Sequence, residues 1–382
     1  MAGLNKPQLA TGQKVRVLVV DDSVVIRRII CSAVEADPNL ILAGSAPNGR
    51  IALERLNQWN PDVVTLDIEM PEMDGIETLR HIRATHPNLP VIMCSTLTER
   101  GAAITIDALL AGANDYVTKD VRAASSLDPR EGFRTELVSK IKQFFNLNQA
   151  PPVSPVAETK PKSAVPSFIL SSPASGAVRQ REIVVIGVST GGPNALTEIL
   201  PLFPADFPLP ILIVQHMPPM FTRLFADRLN TLCRIHVEEA SAGRLLEPGL
   251  ALIAPGDHHM TVKRIDRTVR VVLNQDAPEN SCRPAVDVMF RSVHEVYQGA
   301  VIAVVLTGMG QDGLRGVEVL KPSGATVLVQ DEATSVVWGM PGFVARAGLA
   351  DRVLPLREIV PEILSMQNIK KQERYDENLT RR

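Results

Sequence analysis

The stretch Ile183-Val184-Val185-Ile186-Gly187-Val188-Ser189-Thr190-Gly191-Gly192 decides how this chain is read. A β-branched run with no polar alternation describes a strand buried on both faces, the habit of a parallel sheet. It stops at a hydroxyl in a glycine-rich turn, and Pro193 with the amphipathic Asn194 to Leu200 supplies the helix that follows. The same pattern returns twice. Leu209 to Val214 ends at Gln215-His216-Met217-Pro218-Pro219, and Ala300 to Leu306 ends at Thr307-Gly308-Met309-Gly310-Gln311-Asp312-Gly313. Ligands of open α/β sheets bind at the carboxyl ends of the strands, so a serine, a histidine and an aspartate at three such ends can converge on one crevice. That is the inventory of a hydrolytic triad, in the chain order Ser, His, Asp.

Working outward, further strands are predicted at Ile235 to Glu238, Leu250 to Ala254 and Thr326 to Val329, with an antiparallel hairpin at Met260 to Val272. The first part of the chain has the same style. Apolar runs at Val15 to Val20, Leu40 to Ala46, Val63 to Leu66, Val91 to Cys94 and Tyr116 to Thr118 alternate with helical patterns, which predicts a five-stranded parallel sheet covered on both faces. A chain of 382 residues exceeds one ordinary core. Between the halves lies a segment with Pro151, Pro152, Pro155, Pro161, Pro166 and Pro173 and few large apolar residues, the composition of an extended linker. The expected organisation is one α/β domain over 14–146, a linker over 147–180, a second doubly wound α/β domain with the hairpin over 181–366, and a charged tail over 367–382.

The formal net charge is −2, without the basic excess of a nucleic-acid binder. Met1 to Lys14 is polar and no apolar run approaches membrane-spanning length, so a cytoplasmic protein without membrane insertion is expected. Cys31, Cys94, Cys233 and Cys282 are scattered, which suits small buried hydrophobes in a reducing compartment.

In the first domain, Asp21 and Asp22 end one strand and Asp67 ends a strand expected beside it. Crowded carboxylates call for a cation, and an all-oxygen site favours magnesium. Ser95 and Lys119 end the fourth and fifth strands on the same rim. Such a site can accept a phosphoryl group on Asp67, because the metal and the lysine meet the new charge. Helix capping would explain any one of these residues, but not all of them at four strand ends. Val19-Val20-Asp21-Asp22-Ser23, Asp67-Ile-Glu69-Met-Pro71-Glu-Met-Asp-Gly75 and Tyr116-Val-Thr-Lys119 resemble the response-regulator receiver domains. The resemblance implies that Asp67 is the phospho-acceptor, that Asp22, Asp67 and the backbone carbonyl of Glu69 hold Mg2+ with Asp21 beside them, and that Ser95 and Tyr116 change conformation on phosphorylation. The chain departs from that family in carrying Asp120 where proline usually follows the lysine.

In the second domain, Gly187-Val-Ser189-Thr-Gly191 matches G-x-S-x-G, whose small residues let a strand turn sharply into a helix and expose the serine. A dinucleotide site would need G-x-G-x-x-G and an acidic residue after the next strand, and both are missing. The order Ser, His, Asp also differs from that of α/β-hydrolases, so a different α/β esterase scaffold is expected. His216 is the preferred base, with His258 and His259 as rivals because they too follow a strand. The segments Ile186 to Gly192, Gln215 to Pro219, Ile253 to Met260, Arg283 to Asp287, Leu306 to Gly313, Gln330 to Thr334 and Trp338 to Pro341 together resemble the catalytic domain of the chemotaxis protein-glutamate methylesterases, the CheB family.

That resemblance implies Ser189 as nucleophile, His216 as general base, Asp312 as the group orienting the imidazole, and the N–H groups of His216 and Met309 as the oxyanion hole. Thr190 is expected as a partner of His216, and Ala285 stands where the family commonly has serine. The activity implied is hydrolysis of glutamyl methyl esters, with deamidation of glutamines, on methyl-accepting chemoreceptors. No cofactor is implied for that step. A histidine kinase of the chemotaxis type is the implied phosphodonor, and the protein is expected to be a monomer. A receiver packed over the strand ends would block access until phosphorylation shifts the interface. The residues leave two alternatives, a phosphorylation-dependent docking protein without hydrolysis and an esterase for an unrelated ester.

Overall fold

The computed structural model describes residues 13–96, 98–119, 129–145, 147 and 181–367. Asp120, the expected linker beyond residue 147 and the charged tail beyond 367 lie outside the described residues.

The first unit runs β1 (Val15–Val20), α1 (Val24–Ala36), β2 (Leu40–Ala46), α2 (Gly49–Trp59), β3 (Val63–Asp67), α3 (Gly75–Thr85), β4 (Val91–Ser95), α4 (Glu99–Leu110), β5 (Asp115–Thr118) and α5 (Pro129–Phe144). Its sheet has the order β2-β1-β3-β4-β5 with every pairing parallel. Strands β3 and β4 are buried throughout, as apolar runs covered on both faces should be. Polar side chains start the helices: Ser23, Asn48, Asp74 and Thr98 each accept a hydrogen bond from a first-turn N–H. Each such cap is worth about 1 kcal/mol.

The second unit runs β6 (Ile183–Val188), α6 (Gly192–Ile199), β7 (Ile211–Gln215), α7 (Phe221–Leu232), β8 (His236–Glu239), β9 (Leu250–Ile253), β10 (His259–Ile265), β11 (Thr268–Asn274), α8 (Val286–Tyr297), β12 (Val301–Val305), α9 (Leu314–Leu320), β13 (Thr326–Gln330), α10 (Met340–Arg346) and β14 (Arg352–Leu354). The order of the seven-stranded sheet is β14-β13-β12-β6-β7-β9-β8, and its pairings are all parallel. Strands β10 and β11 form the expected antiparallel hairpin apart from it. The chain leaves β6 on one side through β7 and returns on the other through β12, so β6 sits at the switch point with β7 and β12 as its neighbours. β14 is an addition to the expected strands.

The two units share a core. Ile106, Leu109 and Tyr116 of the first belong to the same buried apolar cluster as Leu196, Phe221 and Phe225 of the second. The Tyr116 and Phe221 rings stack with centroids 4.9 Å apart and planes 7° from parallel. No helix among the described residues is long and apolar enough to cross a membrane.

Candidate active site

Ser189 lies one residue beyond β6. Its N–H donates to Thr307 O at 3.0 Å, and its carbonyl accepts from Gly192 N at 2.8 Å and from Gln215 Nε2 at 3.1 Å. The same Gln215 amide donates to His216 O at 3.1 Å, so one buried side chain ties the serine turn to the histidine loop. Gly191 takes φ +77 and lets the backbone enter α6 at once, where a side chain would be strained. Gly308 runs so close beneath the serine that an added Cβ would stand 2.8 Å from Ser189 Cβ and 2.4 Å from Met340 Sδ.

His216 and Asp312, at the ends of β7 and β12, meet across β6: the imidazole Nε2 donates to Asp312 Oδ2 at 2.8 Å. Asp312 is also held by the N–H groups of Val286 at 2.7 Å, Asp287 at 3.0 Å and Gly313 at 3.1 Å. Burial is the largest influence and works against the Asp312 charge, but the bond and charge of His216 together with the backbone donors Asp287 and Val286 outweigh it and hold the carboxyl below its usual range. Burial likewise opposes the imidazolium, and the bonds to Asp312 and then Cys282 overcome it, holding His216 well above an ordinary imidazole. Among the described residues the Ser189 hydroxyl takes no hydrogen bond, so it is not joined to His216. Unliganded sites are often open in this way and tighten around substrate.

The rival histidines are placed elsewhere. His259 is buried, with Nε2 on Ala277 O at 3.2 Å and Nδ1 accepting from Ala285 N at 3.2 Å, and His258 turns to Gly256 O at 3.3 Å.

Two expectations need correction. The His216 N–H donates to Val188 O at 3.2 Å, because the β6–β7 ladder continues one residue past its last strand pair, Val188 and Gln215. It is therefore committed to the sheet and not free for an oxyanion, whereas the Met309 N–H has no acceptor among the described residues. The Thr190 hydroxyl does not turn to His216 but donates to Gln143 Oε1 of α5 at 3.2 Å.

In the first unit, Asp21, Asp22 and Asp67 offer carboxylate oxygens that all lie within 4.8 Å of one another. Lys119 Nζ stands 2.8 Å from Asp21 Oδ2 and 2.7 Å from Asp67 Oδ1. Burial pushes Asp67 up to about 6 and raises Asp21 as well, in both cases against the pull of Lys119. Burial works against the lysine charge too, but Asp67, Cys94 and Asp21 hold Lys119 above its ordinary value. Three carboxylates facing one ammonium leave an excess of negative charge on oxygen donors, which is what a hard divalent cation satisfies. Ser95 is buried at the rim, accepting from Thr105 Oγ1 at 2.7 Å, and Glu69 holds its carboxylate out toward Arg100, 3.8 Å away.

Residues 184–363 match the family CheB methylesterase, and residues 17–128 match the response regulator receiver domain. A protein-glutamate methylesterase/protein-glutamine glutaminase of Trichodesmium erythraeum is 50% identical over 353 residues, covering 92% of this chain and 98% of that protein. The chain belongs to the CheB methylesterases. Its relative in a Nocardioides species, of the same name, is 50% identical over 350 residues, 92% of this chain and 94% of that one. The Thermotoga maritima CheB methylesterase catalytic domain is similar at 44% identity and a TM-score of 0.48, covering 49% of this chain and 100% of that one.

In this family member the receiver meets the esterase beside the Ser189 and His216 loops. Besides Thr190 to Gln143, Asn194 Nδ2 donates to Ala113 O at 2.8 Å, and Arg223 and Arg228 of α7 pair with Glu99 and Asp107 of α4 at 3.0 and 3.1 Å. Sequence reasoning missed Gln143, Gln215, Asn280 and Cys282. Cys282 was read as an inert small hydrophobe, yet its Sγ lies 3.6 Å from His216 Nδ1. A polar or thiol side chain adjoining a catalytic motif was the one signal available for Gln215 and Cys282.

Proposed function

We propose that this chain is a phosphorylation-controlled protein-glutamate methylesterase and protein-glutamine glutaminase acting on chemoreceptors, with a receiver over 14–146, a linker over 147–180 and an esterase over 181–366. The 2.8 Å pair of His216 and Asp312 beside the Ser189 turn carries this reading. With Nε2–H on Asp312, Nδ1 is the nitrogen left to accept the Ser189 proton. Ser189 Oγ attacks the side-chain carbonyl of a glutamyl methyl ester, and the Met309 N–H receives the developing oxyanion. The imidazolium returns its proton to the leaving methoxide, methanol departs, and water activated by His216 releases glutamate and frees the serine. On glutamine the same steps release ammonia. Asp312 remains ionised throughout and fixes the ring, held in turn by backbone donors.

Asp21, Asp22, Asp67 and the Glu69 carbonyl would hold Mg2+, which would supply positive charge next to a phosphoryl group on Asp67. Lys119 pairs with the acceptor carboxylate, while Ser95 and Tyr116 are the residues through which the charge would act. Tyr116 is already wedged against Phe221, the first residue of the helix after the His216 loop, so a change at Asp67 has a short route to the esterase. A chemotaxis histidine kinase is the phosphodonor in this reading, and the protein works as a cytoplasmic monomer. The test is methanol release from methylated receptor helices by wild type and Ser189→Ala, with and without a small phosphodonor and Mg2+. Loss in the variant and stimulation by the donor are expected, and an unchanged variant rate would remove the triad.

A further inference from the structure

Asp312 is not the only buried carboxylate behind His216. Asp287, in the first turn of α8, is fully buried and accepts from Gly316 N at 2.7 Å through Oδ1. Its Oδ2 accepts from Asn280 Nδ2 at 2.9 Å, and that same nitrogen donates to Asp312 Oδ1 at 2.9 Å. One amide thus bridges two buried carboxylates, while the Asp287 N–H adds a second link to Asp312 Oδ1. Oδ1 of Asp312 is occupied by these donors, and Oδ2 is left for Val286 N and His216 Nε2.

The bridging amide is aimed by an unusual turn. Asn280 and Ser281 are consecutive left-handed residues at φ 52 and φ 62, and the turn is closed by Glu279 and Cys282, whose N–H groups donate to each other's carbonyls at 3.1 and 2.9 Å. Left-handed conformation is uncommon outside glycine, and such strain is characteristic of functional sites. The turn also carries Cys282 Sγ to within 3.6 Å of His216 Nδ1, the ring nitrogen that does not face Asp312.

We propose that Asn280 and Asp287 are positioning residues of the esterase: the Asn280 amide locks the two carboxylates so that Asp312 presents Oδ2 to His216, and the charge of Asp287 sets the basicity of the imidazole from behind. The inference rests on the Ser189–His216–Asp312 reading. Titratable and charged groups surround the cluster, Cys282 at 3.6 Å from His216 Nδ1 among them. The others are His216, the ring of His259 with its Nδ1 accepting from Ala285 N, and Glu279 with its partner Arg291, whose guanidinium is raised by Glu279 first and by Asp287 and Asp312 beyond it. Burial pushes Asp287 up to about 6, so its charge is present at neutral pH and above.

Asn280→Gly keeps the left-handed turn, which glycine adopts freely, and removes only the amide. Losing a hydrogen bond to a charged group predicts a fall in kcat of about 10- to 100-fold, with KM within about 2-fold. Asp287→Asn removes a negative charge and moves the acid limb of kcat/KM to lower pH, whereas Asn280→Asp adds one and moves it to higher pH. A residue that merely supported the fold would lower the melting temperature without opposite shifts in the two profiles. Wild-type kcat in Asn280→Gly, or acid limbs that do not separate, would overturn the proposal. Ser189→Ala is assayed in parallel. If it is inactive while Asn280→Gly is unimpaired, only this inference falls, and if it stays active the triad reading falls and takes the inference with it.

Discussion

Gln143→Leu tests whether the receiver restrains the esterase through contacts beside Ser189. Gln143 and Thr190 are only 8% and 7% exposed, and the 3.2 Å bond between them joins α5 to the residue after Ser189. Leucine keeps the bulk of glutamine and removes the acceptor. A neutral hydrogen bond contributes about 0.5–1.5 kcal/mol, and here the Thr190 hydroxyl would be left without a partner in the closed arrangement alone. If the closed arrangement is inactive and predominates without phosphorylation, weakening it by that amount raises basal activity by about 2- to 13-fold. If phosphorylation breaks this contact, the phosphorylated rate should not change. Methanol release is measured on the full chain without a phosphodonor, and then with a small phosphodonor and Mg2+. Arg228→Ala is the useful comparison, because its pair with Asp107 at 3.1 Å is half exposed on both sides and contributes about 0.2–1 kcal/mol at most. Its effect should be smaller and should fade with added salt, whereas that of Gln143→Leu should not. A basal rate in Gln143→Leu equal to or below wild type, with the phosphorylated rate intact, would refute the reasoning.

The acid limb of kcat/KM should lie above the ordinary imidazole value near 6.5, because the base acts only when deprotonated and Asp312 and Cys282 favour its protonated form; Cys282→Ala should move the limb down, and a wild-type limb at or below 6.5 in a pH–rate series would contradict the geometry. In the receiver, Asp67 is raised from 3.8 to about 6, so the stability it contributes is full below 3.8 and is lost as pH rises through 6. That loss is roughly 3 kcal/mol at most. Mg2+ should therefore raise the melting temperature more at pH 7.5 than at pH 5, and equal increments in a calorimetric comparison would count against a cation among these carboxylates. Gly308→Ala should cut kcat by at least about 10-fold by pressing a methyl group on Ser189 and Met340. Circular dichroism and a melting curve would show whether the fold survives, and a folded variant with full activity would mean that the serine turn tolerates displacement.

Parallel strands buried on both faces leave an unbroken apolar record, which is why the strand ends carrying Asp67, Ser189, His216 and Asp312 were legible in the sequence. Where that record is weak, legibility stops. β14 has only three residues, two of them exposed, and so no pattern to read. Leu209 was included in a strand that begins at Ile211, since Pro210 has no N–H to give the ladder. The oxyanion reading of His216 failed for a related reason: side-chain pattern shows which face a residue occupies, but not where backbone pairing ends. Asn280, Gln143 and Thr190 were beyond reach because their roles depend on partners distant in sequence. Gln143 bonds a residue 47 positions away, and Asn280, itself left-handed, bonds Asp312 at a separation of 32. The contacts that join the two units were illegible for the same reason. Thr190 adjoins Ser189, and Phe221 opens the helix after the His216 loop; each is held by the receiver, through Gln143 and Tyr116. If Ser189 and His216 act as proposed, control of the esterase needs no long pathway through its core, because a displacement of α5 is applied to the residue after Ser189 and one of Tyr116 to the helix that follows the His216 loop.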